Sequence, residues 1–352
     1  MSSDASKNKK EEEIQRKRAS FLQKKINPYD PSKIHSVEEA MMALQECSFQ
    51  GRNLGIGLEV LTNMVNKPKC LRVLCLSGAM IPAGMEELIC QAIERKVIGA
   101  IVSTGANITH SIVNSADEEN HQAHYVGSEK VKDDELYKLQ INRIYDTYLP
   151  ESAYYNSRMF LMKYIKEKYK PGEKYVIAPS EFLAWLGSKL PGRSFIGTAA
   201  KYNIPIYCGA TSDSELGMDF ALYAKFDNIH IIPNEIADIH NFADYVKKFE
   251  TWGTIILGGG VPRNWAQQIF PYLYITQEKD ERDYPGYEFS VRFHAATQED
   301  GGLSGCTISE GVSWGKYQKN AKNVSVWGES TVYFPLIMTA LFQRMDRLKI
   351  KL

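Results

Sequence analysis

The chain has 352 residues, 44% of them hydrophobic and 11% aromatic, enough for one large α/β domain or two closely joined ones. Its 42 basic and 42 acidic side chains cancel, so no global field points to nucleic acid or a membrane surface. No apolar run nears the roughly 20 residues that span a bilayer, and the charged start lacks the apolar core of a secretory signal, so a cytoplasmic location is expected.

Residues 1–26 read as a charged N-terminal extension, helical or disordered, ahead of one domain over residues 27–352. Met1–Lys25 holds eight Lys or Arg against four acidic residues, which leaves the remainder at net minus four. Beyond it, short apolar, β-branched runs predict strands at Leu71–Leu76, Ile98–Val102, Ile204–Cys208, Ile229–Ile232, Thr254–Leu257, Phe289–Ala295 and Val324–Trp327. Between them, helical periodicity covers Met85–Arg95, Asp134–Tyr145, Ala153–Tyr169, Ser180–Leu190, Ile236–Phe249 and Val332–Leu348. Strands alternating with amphipathic helices imply a doubly wound, mostly parallel, Rossmann-like α/β sheet with helices on both faces. The six cysteines show no close-paired zinc spacing and read as buried thiols of a reducing compartment.

Ligands in such sheets bind at the carboxyl ends of the strands. Three predicted strands run into glycine loops, Leu76-Ser77-Gly78-Ala79, Val102-Ser103-Thr104-Gly105-Ala106-Asn107 and Leu257-Gly258-Gly259-Gly260-Val261-Pro262. Glycines let a backbone approach a pyrophosphate and helix N-termini supply N–H donors, although no Gly-x-Gly-x-x-Gly fingerprint occurs. On a helix His121 and His124 would share one face, but no further ligands stand at metal spacing, so a polar surface or loop is the better reading and no metal is expected. His110 either faces a ligand or is a local hydrogen-bonding group. Asp213, Asp219, Asp300 and Glu329 are acidic candidates for a cationic ligand, with Asp213 and Glu329 equally readable as helix caps.

The densest signal is Gly301-Gly302-Leu303-Ser304-Gly305, followed by Glu310-Gly311-Val312-Ser313-Trp314-Gly315-Lys316. A lone lysine after a glycine turn is otherwise a solvated surface group. Here an indole wall and a nearby cation would keep its amine neutral and nucleophilic, while Glu310 could hold a cationic substrate.

With the lysine block, Ile255-Ile256-Leu257-Gly258-Gly259-Gly260-Val261 and Ile141-Asn142-Arg143-Ile144, the chain resembles the deoxyhypusine synthase family over about residues 28–342. The resemblance implies an NAD-dependent aminobutyl transferase. It would oxidise spermidine, pass the butylimine through Lys316 to an acceptor amine such as a protein lysine, and reduce it there. A hypusine-bearing translation factor is the implied partner, and a homotetramer the implied assembly. Carried over by position, NAD would contact Gly78, Ala79, Thr104, Gly105, Ala106, Asp213, Gly259, Ala295, Ala296, Glu329 and Ser330. Substrate would meet Glu310, Trp314, Asp300, Gly301, Gly302, Asn264 and His110. The chain departs from the eukaryotic pattern: Leu303 and Met218 stand where carboxylates capture the polyamine, Asn264 where a histidine does, His110 at an acidic position and Glu329 for an aspartate. Thr104-Gly105-Ala106-Asn107, Ser212-Asp213-Ser214 and Gly302-Leu303-Ser304-Gly305 look like the bacterial and archaeal branch. The alternatives are a homospermidine-type synthase with putrescine or another small amine as acceptor, and a non-catalytic NAD-binding regulatory subunit.

Overall fold

The computed structural model describes residues 2–117, 121–276 and 285–352. Six strands form the main sheet: β1 (Cys70–Leu76), β2 (Ala100–Ser103), β3 (Ile206–Tyr207), β4 (Thr251–Leu257), β5 (Tyr287–His294) and β6 (Tyr317–Trp327). Their order is β6-β5-β4-β1-β2-β3 and every pairing is parallel. The chain winds outward from β1 through β2 and β3, then returns to start again at β4 on the other side of β1. The switch point therefore lies between β1 and β4, where the crevice of such a sheet opens.

Because side chains alternate along a strand, the sheet feeds two cores. Leu74 and Leu76, with Ile255, Leu257 and Val291, pack on helices α1 (Phe49–Asn66) and α6 (Ser330–Leu348), which contribute Leu58, Leu61, Phe334, Ile337 and Leu341. Leu71, Val73 and Cys75, with Val102 and Ile256, face the opposite layer, where Phe242, Ala266, Phe270, Tyr287 and Tyr317 are buried. The full burial of β2 and β4 explains their continuous rather than alternating apolar pattern.

Two expectations are corrected. The helix expected over Asp134–Tyr145 is a short helix, Asp133–Lys138, followed by a strand, Ile141–Ile144, that pairs antiparallel with Thr147–Pro150. Gln140 turns the chain at φ 56°, and Arg143 reaches back to both oxygens of Asp133 at 2.6 and 3.0 Å, locking the strand against the helix. The Ile229–Ile232 strand exists as His230–Pro233, but outside the main sheet: it pairs with Lys174–Ile177 in a separate two-stranded parallel sheet. Within the N-terminal extension, Ser2–Phe21 is helical. Among the described residues no helix is long and apolar enough to cross a membrane.

Candidate active site

A cleft of about 390 Å³ opens over the carboxyl ends of β1 to β4, lined by the predicted loop residues Gly78, Thr104, Gly105, Asp213 and Gly259. Buried Asn107 joins two of the loops, donating to the Gly78 carbonyl at 2.7 Å and accepting from the Ile81 N–H at 3.1 Å. Ser77 ties in the third through a 2.5 Å hydrogen bond to the Gly259 carbonyl. Two of the glycines are required by space. A Cβ on Gly259 would lie 2.6 Å from Ser304 Oγ, and one on Gly105 would lie 2.6 Å from Ser214. Helix α4 (Gly260–Gln267) begins at Gly259 with no side-chain cap, so its first-turn N–H groups remain available to an anion at the cleft. Helix α2 (Gly105–Ala116) starts beside it, capped by Thr104. Glycine-lined, backbone-rich and fed by an uncapped helix end, the cleft fits the phosphates of a dinucleotide.

Asp213 lies on the cleft, and the capping alternative fails for it because Ser214 caps helix α3 (Glu215–Phe226), accepting from the Gly217 N–H at 3.3 Å. Glu329 does cap: it accepts from the Thr331 N–H at 2.8 Å at the start of α6. Ser330, Ala295 and Ala296 stand with it past the ends of β6 and β5, while Ala79 and Ala106 flank the cleft loops.

Lys316 does not sit on a carboxyl-end loop. The segment leaving β5 crosses the face of α4, places Ser304 on the cleft, and returns to the amino end of β6, where Lys316 precedes Tyr317. The lysine amine reaches back along α4 and donates to Asn264 Oδ1 at 2.9 Å, about one turn from the helix start. Gly315 makes the turn before it at φ 70°, and a Cβ on Gly311 would strike the Tyr317 ring at 2.7 Å, so both glycines of this block are sterically needed. Burial first, and then the charge of Arg263, pull the Lys316 pKa below the usual lysine range, against Cys306 and Glu310. Arg263 is thus a cation near the amine. The indole of Trp314 lies 5.5 Å from the amine, although it is 64% exposed in the single chain. Glu310 stands exposed in the first turn of helix α5 (Ile308–Ser313). Gly301 is left-handed at φ 70° with open space around it, and Gly302 follows, exposed; the Asp300 side chain lies outside the described residues.

Asn264 and Leu303 also line a second hollow of about 460 Å³ walled by Phe242, Trp265 and Tyr272, which meets the cleft at Val261. The other candidates lie elsewhere. Asp219 is buried against Arg158 at 2.5 Å and so is already paired. Met218 beside it is exposed. His110 is a buried partner of His124, Nδ1 to Nε2 at 2.9 Å, which is the local alternative for that residue. His124 in turn contacts Asn114 at 2.9 Å, and among the described residues no group of His, Cys, Asp and Glu could hold a metal. Two residues escaped sequence reasoning, the buried Arg263 and Arg292. Arg292 carried a signal, a charged residue in the middle of an apolar strand.

The deoxyhypusine synthase family model matches residues 39–341. The chain belongs to the deoxyhypusine synthase family. It is 33% identical over 326 residues to the "Probable deoxyhypusine synthase 2" of Methanosarcina mazei, covering 90% of each chain. It is 29% identical to a deoxyhypusine synthase-like protein of Chlorobaculum parvum, covering 93% of this chain and 91% of that one. A candidate deoxyhypusine synthase of Entamoeba histolytica shares the fold, with a TM-score of 0.61 at 19% identity over 90% of this chain and 97% of that one. As a family member the chain is a transferase.

Proposed function

We propose that the chain is an NAD-dependent aminobutyl transferase that moves a butylamine unit from spermidine to an acceptor amine through a lysine imine. The observation that carries this reading is Lys316: a half-buried amine, depressed by burial and by Arg263, held by Asn264 beside a hollow with apolar walls. NAD in the glycine-lined cleft would supply the oxidation of the donor amine and the final reduction. Gly78, Thr104, Gly105, Asp213 and Gly259 would hold it, with the first turn of α4 on its phosphates. Phe242, Trp265 and Tyr272 would cover methylenes of the polyamine, and Glu310 would attract its charged end. The neutral Lys316 amine would attack the donor's imine carbon, forming a new carbon–nitrogen double bond as diaminopropane leaves. A second amine would then displace Lys316 in the same manner.

Assembly as a homotetramer belongs to the same reading, supported by the exposed apolar side chains Trp327 and Val332 at the carboxyl end of β6. The test is incubation with NAD, spermidine and either a hypusine-bearing translation factor or putrescine, with products read by mass spectrometry. Borohydride should trap the butylimine on Lys316 and not in Lys316→Ala. Equal trapping in the Ala chain would remove the lysine from the mechanism. Absence of any product, with NAD bound, would favour a non-catalytic subunit.

A further inference from the structure

Arg263 and Arg292 are, among the described residues, the two largest side chains fully withdrawn from solvent, each 1% exposed. Among the described residues their hydrogen bonds go to backbone carbonyls and not to a carboxylate. Arg263 Nη1 donates to Leu303 at 3.0 Å, and Arg292 donates to Cys306 from Nη1 at 2.6 Å and to Gly258 from Nε at 3.4 Å. Arg263 Nε and Arg292 Nη2 have no hydrogen-bond partner among the described residues. Buried charge without a counter-charge is costly, and a loop that needed only pinning would be held as well by neutral donors. Here two such charges face each other: burial, then the neighbouring Arg263, hold the Arg292 guanidinium down to about 10.

The charge lies next to one reactive group. Asn264, the residue after Arg263 on α4, holds the Lys316 amine at 2.9 Å, and Cys306, whose carbonyl Arg292 grips, faces the same lysine. We propose that Arg263, backed by Arg292, is a positioning residue for Lys316. The two guanidinium groups clamp the Leu303–Cys306 loop against the end of β4 and set an uncompensated positive charge behind the amine, favouring its neutral, nucleophilic form. This rests on the reading of Lys316 as the reactive lysine. The groups that face Lys316 divide by effect: Glu310 and Cys306 favour the ammonium, Arg263 and burial oppose it, and Asn264 orients it. Arg292 is faced by Arg263, Tyr317 and Cys306, and it helps to keep His294 neutral down to about 4. Without the arginines, burial would be left as the influence that opposes the ammonium, against the Glu310 carboxylate that favours it.

The experiment measures the pH dependence of Lys316 acetylation in the full-length chain, using a limiting N-hydroxysuccinimide ester and peptide mass spectrometry, because only the neutral amine reacts. Exposed lysines such as Lys349 give the internal reference. Arg263→Gln is expected to move the Lys316 inflection up by about one pH unit, roughly a tenfold loss of neutral amine at a fixed lower pH. Arg263→Lys should hold it near its original position. If Lys316 titrates below the surface lysines in the unsubstituted chain and Arg263→Gln leaves it unmoved, the role of Arg263 is overturned and the reactive lysine stands. If Lys316 titrates with the surface lysines before any substitution, the underlying reading is overturned. Should Arg263→Gln not fold, Arg292→Gln probes the same field from the second guanidinium, and an unmoved inflection there overturns the proposal.

Discussion

Leu303 and His110 show how one side chain sets what a site can take. Leu303 lines the hollow beside Asn264 and is 39% exposed, so it offers a polyamine ammonium no partner. Leu303→Asp should place a carboxylate there and lower the KM for spermidine, within the ~1–3 kcal/mol of a charge-assisted hydrogen bond. Steady-state kinetics decide the point, and a raised KM would mean that the ammonium is captured elsewhere. His110 and His124 are both held neutral to about 4 by burial, with the charge of His124 also opposing protonation of His110. As pH falls below about 6.5 the unfolded chain takes up protons at these positions before the folded one does. The stability they contribute is therefore complete above that pH and is lost as pH drops toward 4. Proton NMR of the two imidazoles should show no titration above pH 5; a midpoint near 6.5 for either ring would contradict the buried pair.

At the scale of elements, the uncapped start of α4 and the Gly258–Gly260 turn form the floor of the cleft. Gly259→Val should push Ser304 and its loop away, because the added Cβ meets Ser304 Oγ at 2.6 Å and its Cα at 2.7 Å. Calorimetry is expected to show NAD affinity reduced at least tenfold, with secondary structure by circular dichroism unchanged. Undiminished binding would place the dinucleotide elsewhere. The three glycine loops were legible because a strand, a tight turn and a helix each leave a local mark. The return of the β5–β6 connection to the amino end of β6 was not legible, since nothing in Gly301–Lys316 says which way it crosses α4. Nor did the periodicity of Asp134–Tyr145 reveal that Arg143 would pair with Asp133 and hold a strand there.

Across the whole molecule, a buried carboxylate fastens the helix Val37–Gln45 near the start of the chain to α6 at its end. Glu38 is 4% exposed and accepts from Arg344 at 2.8 Å and from Arg347 at 2.7 and 3.0 Å, contacts that hold its pKa low, Arg347 first. Glu38→Ala leaves Arg344 without its counter-charge, with only Thr62 still accepting from it at 3.2 Å, and is expected to cost about 3 kcal/mol in denaturant unfolding, the range for breaking a buried ion pair. A loss below about 0.5 kcal/mol would mean that water replaces the carboxylate. The pair spans some three hundred residues of sequence, which is why no window of the chain announces it.

By itself the sequence determined the α/β class, the parallel sheet, the glycine loops at strand ends and Lys316 as the distinctive amine, because each depends on neighbours within a few residues. Tertiary structure alone decided that Asn264 holds that amine, that Asp219 is consumed by Arg158, that His110 turns to His124, and that two arginines lie buried behind the lysine. These are matters of which distant side chains meet in a medium too poor in water to screen them, and only the folded sheet brings them within reach.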